Sequence, residues 1–299
     1  LLAPSPLQPL THPLAHAAGV RLYCKRDDLY AFDAGSPLQG NKVRKLWPYL
    51  SDPASLRGRR VVSFGGAFSN HLAALATAGL RFGFATRFIV RGEPVSNPVL
   101  DYLRAAGSEL HFVSRSEYRR RHDEDYLRGL AIDTSDILIP EGGSTTASLG
   151  AVGKPFTETV DQLGEVPTYF CLSAGTGCTA AGIVDAASDY GSEIEVYPAL
   201  KGDWMLGEIA AWLERPSEDI LVRMIYDYTY GGYAKFPPHW RLNTPDGCLA
   251  KRADIGIAGL PPLEPVYTAK LFAGVMDRIA KGVYAPGSTL VILHTGGIY

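Results

Sequence analysis

Short apolar runs recur along the chain, and longer amphipathic stretches lie between most of them. The runs fall at 20–24, 60–63, 87–90, 109–113, 137–139, 169–172, 194–197, 221–226 and 289–293. This alternation predicts parallel strands, because a parallel pair needs a long crossover that a helix usually supplies. The expected fold class is α/β, as two doubly wound, mostly parallel sheets. Residues 53–152 hold four strand–helix units and read as an inserted domain. Residues 1–52 and 153–299 then form the larger one. A ligand belongs between the two, beyond the carboxyl ends of the strands.

Composition narrows the partners. Of the 299 residues, 46% are hydrophobic and 20% charged, enough apolar side chain for a sizeable core. Lys and Arg total 29 against 31 Asp and Glu. A net charge of −2 argues against nucleic acid or an anionic membrane as partner. Arg119-Arg120-Arg121 runs into Asp123, Glu124 and Asp125 and reads as a solvated helix face. No stretch approaches the roughly 18 apolar residues of a membrane span. Residues 1–10 carry Pro4 and Pro6 and no basic start, so no signal peptide is expected and the cytoplasm is the expected compartment. Cys24, Cys171, Cys178 and Cys248 form no CxxC pair, so neither a metal site nor a disulfide framework is expected.

Four segments can carry chemistry. Lys42 follows Gly40-Asn41 at the start of a predicted helix. It becomes a nucleophile only where desolvation or neighbouring cations such as Arg44 and Lys45 lower its pKa. Taken alone, Lys42, Arg44 and Lys45 read equally as surface charge. Gly65-Gly66-Ala67-Phe68-Ser69-Asn70-His71 sits where a strand turns into a helix whose first N–H groups favour anions. Phe68, Leu72, Leu75 and Gly79 are expected on one face of that helix. Ser173-Ala174-Gly175-Thr176-Gly177-Cys178-Thr179 has the small and hydroxyl residues of a phosphate cradle, or of a plain tight turn. No acidic magnesium motif or phosphate-reaching lysine is expected to accompany this loop. His294-Thr295-Gly296-Gly297 places a hydroxyl at the end of an apolar strand. One cofactor would use all four segments. Pyridoxal phosphate has an aldehyde for a lysine, a phosphate for a cradle, a phenolic oxygen for a donor and a ring nitrogen for a partner.

Lys25-Arg26-Asp27-Asp28, Gly40-Asn41-Lys42-Val43-Arg44-Lys45-Leu46 and Ser69-Asn70-His71 resemble the aminocyclopropane-carboxylate deaminase / D-cysteine desulfhydrase family. So do Ser5-Pro6-Leu7-Gln8-Pro9-Leu10, Pro140-Glu141-Gly142-Gly143-Ser144 and Glu264-Pro265-Val266-Tyr267. The resemblance covers nearly the whole chain. It implies the tryptophan synthase β-like architecture of fold type II pyridoxal-phosphate enzymes, a homodimer and a small amino-acid substrate. Lys42 would bond the cofactor's aldehyde carbon and later move protons. Asn70 would bond the phenolic oxygen. Ser69, Asn70 and His71 would receive the substrate carboxylate. Gly175, Thr176, Gly177, Cys178 and Thr179 would hold the phosphate, with the Cys178 backbone N–H serving where the family has Ser or Gly. Tyr267 matches one catalytic tyrosine and Tyr233 the other, with Tyr230 a competing match. Thr295 would face the ring nitrogen.

Two positions divide the family. The deaminase branch carries Glu directly after the second tyrosine and Leu before the final Gly-Gly, where this chain has Thr268 and Thr295. A neutral ring nitrogen beside a hydroxyl makes a weaker electron sink than one protonated by a carboxylate. Expulsion of a β-thiolate is therefore expected, with opening of a cyclopropane ring as the alternative. Outside the enzymes the readings are a non-catalytic cofactor-binding protein and, ranked lower, an ATP-binding protein using Gly175 to Thr179. Phe68 stands where the desulfhydrase branch has Gln.

Overall fold

The computed structural model describes residues 2–132, 134–245, 249 and 251–297; Cys248 lies outside them. The larger sheet takes β1 (Leu7–Pro9), β2 (Arg21–Lys25), β7 (Tyr169–Ala174), β8 (Glu193–Pro198), β9 (Arg223–Met224) and β12 (Thr289–Leu293). Their order is β1-β2-β12-β7-β8-β9. Only the β1–β2 pairing is antiparallel. The smaller sheet is wholly parallel, in the order β5-β4-β3-β6. It comprises β3 (Arg60–Gly66), β4 (Ala85–Arg91), β5 (Glu109–Val113) and β6 (Ile137–Ile139). A two-strand ribbon, β10 (Arg241–Asn243) with β11 (Arg252–Asp254), escapes the apolar-run criterion because it is short and polar. The expected strand at 221–226 shrinks to β9, since Leu221 is solvent-exposed and offers no buried face.

Helices cover both faces of each sheet, as parallel sheets require. On the larger sheet, α1 (Pro13–Ala17) and α10 (Thr268–Ala280) bury one face. The other face packs on α7 (Leu149–Leu163), α8 (Cys178–Ala187) and α9 (Met205–Leu213). On the smaller sheet, α2 (Asn41–Leu50), α3 (Asn70–Phe82) and α4 (Pro98–Ala105) share one core. Tyr118 of α5 (Arg115–Tyr118), with Ile132 beyond α6 (Glu124–Gly129), fills the other. All four smaller-sheet strands come from 53–152, which supports the inserted unit as a proposal. Val43, Leu46 and Leu50 of α2 nevertheless pack in that smaller core, although they precede residue 53.

Two local expectations need correction. Phe68 is 65% exposed and precedes α3, so the buried face of that helix carries Leu72, Leu75 and Gly79 without it. Arg119, Arg120 and Arg121 follow α5 in a turn instead of extending a helix. Arg121 packs over Tyr118 and pairs with Glu141 at 3.2 Å. The Ser114–Glu117 capping box that starts α5 forms as its spacing predicts.

Candidate active site

The carboxyl ends of β3, β7 and β12 open on one cleft of about 460 Å³ between the two sheets. Its walls include Lys42, Ser69, Asn70, His71, Gly175, Thr176, Gly177, Thr179, Tyr233, Tyr267 and Thr295. The sequence scatters these residues over more than two hundred positions; the strand ends gather them.

Lys42 stands in the first turn of α2. Gly40 caps that helix with a positive φ of 61°, and any Cβ there would collide with the Thr295 carbonyl. The same carbonyl accepts the Asn41 N–H at 3.1 Å. The lysine turn and the Thr295 turn are thus one joined unit. Loss of water around the Lys42 amine, and then the Lys45 charge, lower its pKa to about 7. About half of it is therefore neutral near pH 7 and able to attack a carbonyl carbon.

Lys45, one helical turn on, is buried. Its Nζ donates to Ser144 Oγ at 2.9 Å and to Thr176 Oγ1 at 3.2 Å. The expectation that no lysine reaches the phosphate loop is therefore wrong. The signal was present, because i and i+3 share a helix face and a buried Lys42 brings Lys45 with it. Arg44 points the other way. It is buried against Asp27 and Glu158, so it is neither surface charge nor part of the cleft.

The cradle is the N-terminus of α8, whose first N–H groups lack intrahelical acceptors. Thr179 Oγ1 is buried beside them with no hydrogen-bond partner. A Cβ on Gly175 would strike the Tyr267 ring at 2.9 Å, so only glycine leaves this wall open. The Cys178 side chain turns away, its Sγ 3.4 Å from Ser148 Oγ, and leaves only its main-chain N–H to the loop. An orphaned hydroxyl, free N–H groups and a buried ammonium together fit a phosphate.

Ser69 caps α3, its Oγ accepting the Leu72 N–H at 3.4 Å. His71 is turned back to β3. Ser63 donates its hydroxyl to the Ile139 carbonyl, so at 2.8 Å His71 Nε2 must be the donor to Ser63 Oγ. Burial, reinforced by Lys42 and Lys45, holds the His71 pKa well below the ordinary range. The ring is neutral with Nδ1 an acceptor, so it cannot donate to a substrate carboxylate as expected; only its main-chain N–H can.

Tyr233 lines the cleft and meets Tyr267 edge-on at 6.3 Å. Tyr230 packs instead against Tyr228 and Trp240, away from the cleft. Glu264 is a further wall residue, one that no side-chain pattern in the sequence signals. Both its oxygens accept main-chain N–H groups, from Val266, Tyr267 and Thr268, and so set the start of α10. Thr268 is fully buried and exchanges hydrogen bonds with the Glu264 backbone. Thr295 is oriented by the preceding residue: the buried His294 donates to the Pro262 carbonyl and accepts the Gly296 N–H. Arg91, at the end of β4, also faces the cleft, stacked on Tyr118 at 5.2 Å.

A nucleophilic lysine and an anion cradle on one cleft, between two mostly parallel sheets, are the equipment of an enzyme that works through pyridoxal phosphate. The fold is that of the fold type II members of this class. The chain belongs to the pyridoxal-phosphate dependent enzyme family, whose model matches residues 1–201. It is 30% identical over 317 residues to a Pyrococcus abyssi protein named "Putative 1-aminocyclopropane-1-carboxylate deaminase", covering 98% of this chain and 89% of that one. It is 29% identical over 322 residues to a 1-aminocyclopropane-1-carboxylate deaminase of Burkholderia orbicola, covering 98% and 92%. A crystal structure described as an ACC deaminase homologue superposes with a TM-score of 0.74 at 25% identity, covering 99% of this chain and 90% of that one. The chain is accordingly a pyridoxal-phosphate-dependent enzyme of the lyase and deaminase type. Among the described residues no group of His, Cys, Asp and Glu could hold a metal, and no helix is long and apolar enough to cross a membrane.

Proposed function

We propose that the enzyme deaminates a small amino acid by α,β-elimination, with D-cysteine giving pyruvate, hydrogen sulfide and ammonia. The observation that carries this reading is the hydroxyl end of the cleft. Thr295 lies at the wall assigned to the ring nitrogen, and the neighbouring carboxylate, Glu264, spends both oxygens on main-chain N–H groups. The position that carries Glu in the deaminase branch is Thr268, tied to its own turn.

When bound, pyridoxal phosphate supplies an aldehyde for amine attachment and an electron-poor ring that acidifies the adjacent C–H bond. Lys45, Thr176, Thr179 and the first N–H groups of α8 would hold its phosphate, Asn70 its phenolic oxygen and Thr295 its ring nitrogen. Ser69 and the N–H groups that open α3 receive the substrate carboxylate, with the Arg91 guanidinium as the nearby cation. Lys42 would bond the cofactor's aldehyde carbon, and its amine, neutral in part near pH 7, would take the Cα proton of the substrate once free. Tyr267 and Tyr233 line the same cleft, where a leaving thiolate needs a proton. Burial raises both of their pKa values, so each keeps its proton at neutral pH and is a hydrogen-bond donor to the departing sulfur. The Cβ–S bond breaks as the electron pair from the Cα–H bond forms Cα=Cβ. Water then releases the nitrogen as ammonia and leaves pyruvate.

The names of the relatives favour a second reading, the deaminase reaction that turns aminocyclopropane carboxylate and water into 2-oxobutyrate and ammonia. A keto-acid and sulfide assay over D-cysteine, L-cysteine and aminocyclopropane carboxylate decides between them. Sulfide and pyruvate in equal amounts from D-cysteine support elimination. Faster turnover of aminocyclopropane carboxylate replaces it with ring opening. A homodimer in the cytoplasm belongs to the same proposal and is checked by light scattering and by fractionation.

A further inference from the structure

Lys270, in the first turn of α10, is buried with 2% of its surface exposed. Its Nζ donates to the carbonyls of Ala199 at 3.0 Å, Thr229 at 2.8 Å and Gly232 at 2.7 Å. An ammonium has three N–H donors, and all three are spent on main-chain oxygens. Burial lowers its pKa to about 8, against which the Glu264 charge acts, so the ammonium form prevails at pH 7. Three carbonyl dipoles converging on one point repel one another unless a cation sits between them.

Each carbonyl belongs to a segment of the cleft wall. Ala199 precedes Leu200, which lines the cleft, and its N–H bonds the Ala174 carbonyl beside the phosphate loop. Thr229 and Gly232 belong to the loop that ends in Tyr233. Lys270 itself lies one turn beyond Tyr267. One ammonium therefore joins both tyrosines and the end of β8.

We propose that Lys270 is a positioning residue, a tethered monovalent cation that fixes the Tyr233 loop against Tyr267 and the phosphate loop. It touches neither the cleft nor the reacting atoms, and the assignment holds whichever amino acid is the substrate. It makes a specific demand: the three carbonyls form a site that a free ion of similar size can occupy once the side chain is removed.

The test is the holoenzyme of Lys270→Ala, crystallised with rubidium and assayed for keto-acid release with and without ammonium or rubidium. We expect a rubidium peak in anomalous density among the Ala199, Thr229 and Gly232 oxygens, absent from the parent. We expect kcat to fall at least tenfold and to recover several-fold with ammonium or rubidium, but not with tetramethylammonium at equal ionic strength. Parental kcat without added cation overturns the proposal, as does a loss that no cation restores and no bound ion accompanies. If substrate turnover is undetectable in the parent, the rubidium site and the Tyr233 position decide alone. If Lys270→Ala does not fold, Lys270→Gln takes its place beside Lys270→Arg. Activity kept by the charged variant and lost by the neutral one supports the cation role, and parental activity in Lys270→Gln refutes it.

Discussion

At the scale of single residues, the cleft works by withholding water and partners. Lys42 is poised because its amine sits near Lys45 in a poorly hydrated wall, with its pKa near 7. The neutral amine is the nucleophile, so in the cofactor-free protein its reaction with an aldehyde reagent should quicken as pH rises through about 7 and level off above. A surface lysine would keep accelerating towards pH 10. Peptide mapping after borohydride reduction of the holoenzyme should place the label on Lys42; a label on Lys45 would reverse the assignment. Thr179→Ala should weaken cofactor binding by about 1–2 kcal/mol, the scale of one hydrogen bond to a charged group, with Thr179→Ser largely restoring it. Titration of apoprotein with cofactor measures both. Thr295→Val should remove most elimination activity and leave the melting temperature near that of the parent.

At the scale of elements, α2 does two opposite jobs on two faces. One face carries Lys42 and Lys45 to the cleft. The other drives Arg44 into a buried network with Asp27, Glu158, Lys25 and Ser5. That network ties α2 to β2 and α7, so it holds the lysine helix in place against the larger sheet. Arg44→Ala should destabilise the fold by about 3–5 kcal/mol, because it strands buried carboxylates. Urea denaturation reads this, and the loss should change little with salt, since the pair is shielded from solvent. The sequence shows α2 clearly and its division of labour hardly at all. Gly40-Asn41 announces the turn, whereas Lys42, Arg44 and Lys45 look alike until helical phase and the neighbours in the fold sort them. Lys270 and Glu264 are hidden for a related reason. Their partners are main-chain groups, which no side-chain pattern encodes. The hydroxyl loops were legible because strand, small residues and helix follow one another directly. His71 was legible as a neighbour of the site but not in its tautomer, which depends on Ser63 and Ile139.

For the whole molecule, the site exists only where two sheets face each other. Lys42, Ser69 and Asn70 approach from the side of the smaller core, and Thr176, Thr179, Tyr267 and Thr295 from the larger one. A ligand that touches both walls stabilises their union. Cofactor at a hundred times its dissociation constant should add about 2.7 kcal/mol to the stability of the folded protein. Differential scanning calorimetry of apo and holo protein tests this; equal melting temperatures would mean that the cofactor does not bind the folded protein in preference to the unfolded chain. The alternation of strands and helices made the two-sheet plan readable from the sequence. The order of strands within the larger sheet was not, because β12 pairs with β2 and β7 across most of the chain's length.

That pairing has a consequence during synthesis. β2 and β7 leave the ribosome long before β12, and until it arrives each has an open edge where their shared neighbour will sit. The lysine, the serine cap and the phosphate cradle are all translated by then, but the strand that pairs with both β2 and β7 is still missing. A chain halted before residue 289 therefore carries almost every active-site residue and no active site. Until β12 arrives those open edges offer unpaired N–H and C=O groups to any other strand, so its pairing with β2 and β7 is what closes the larger sheet.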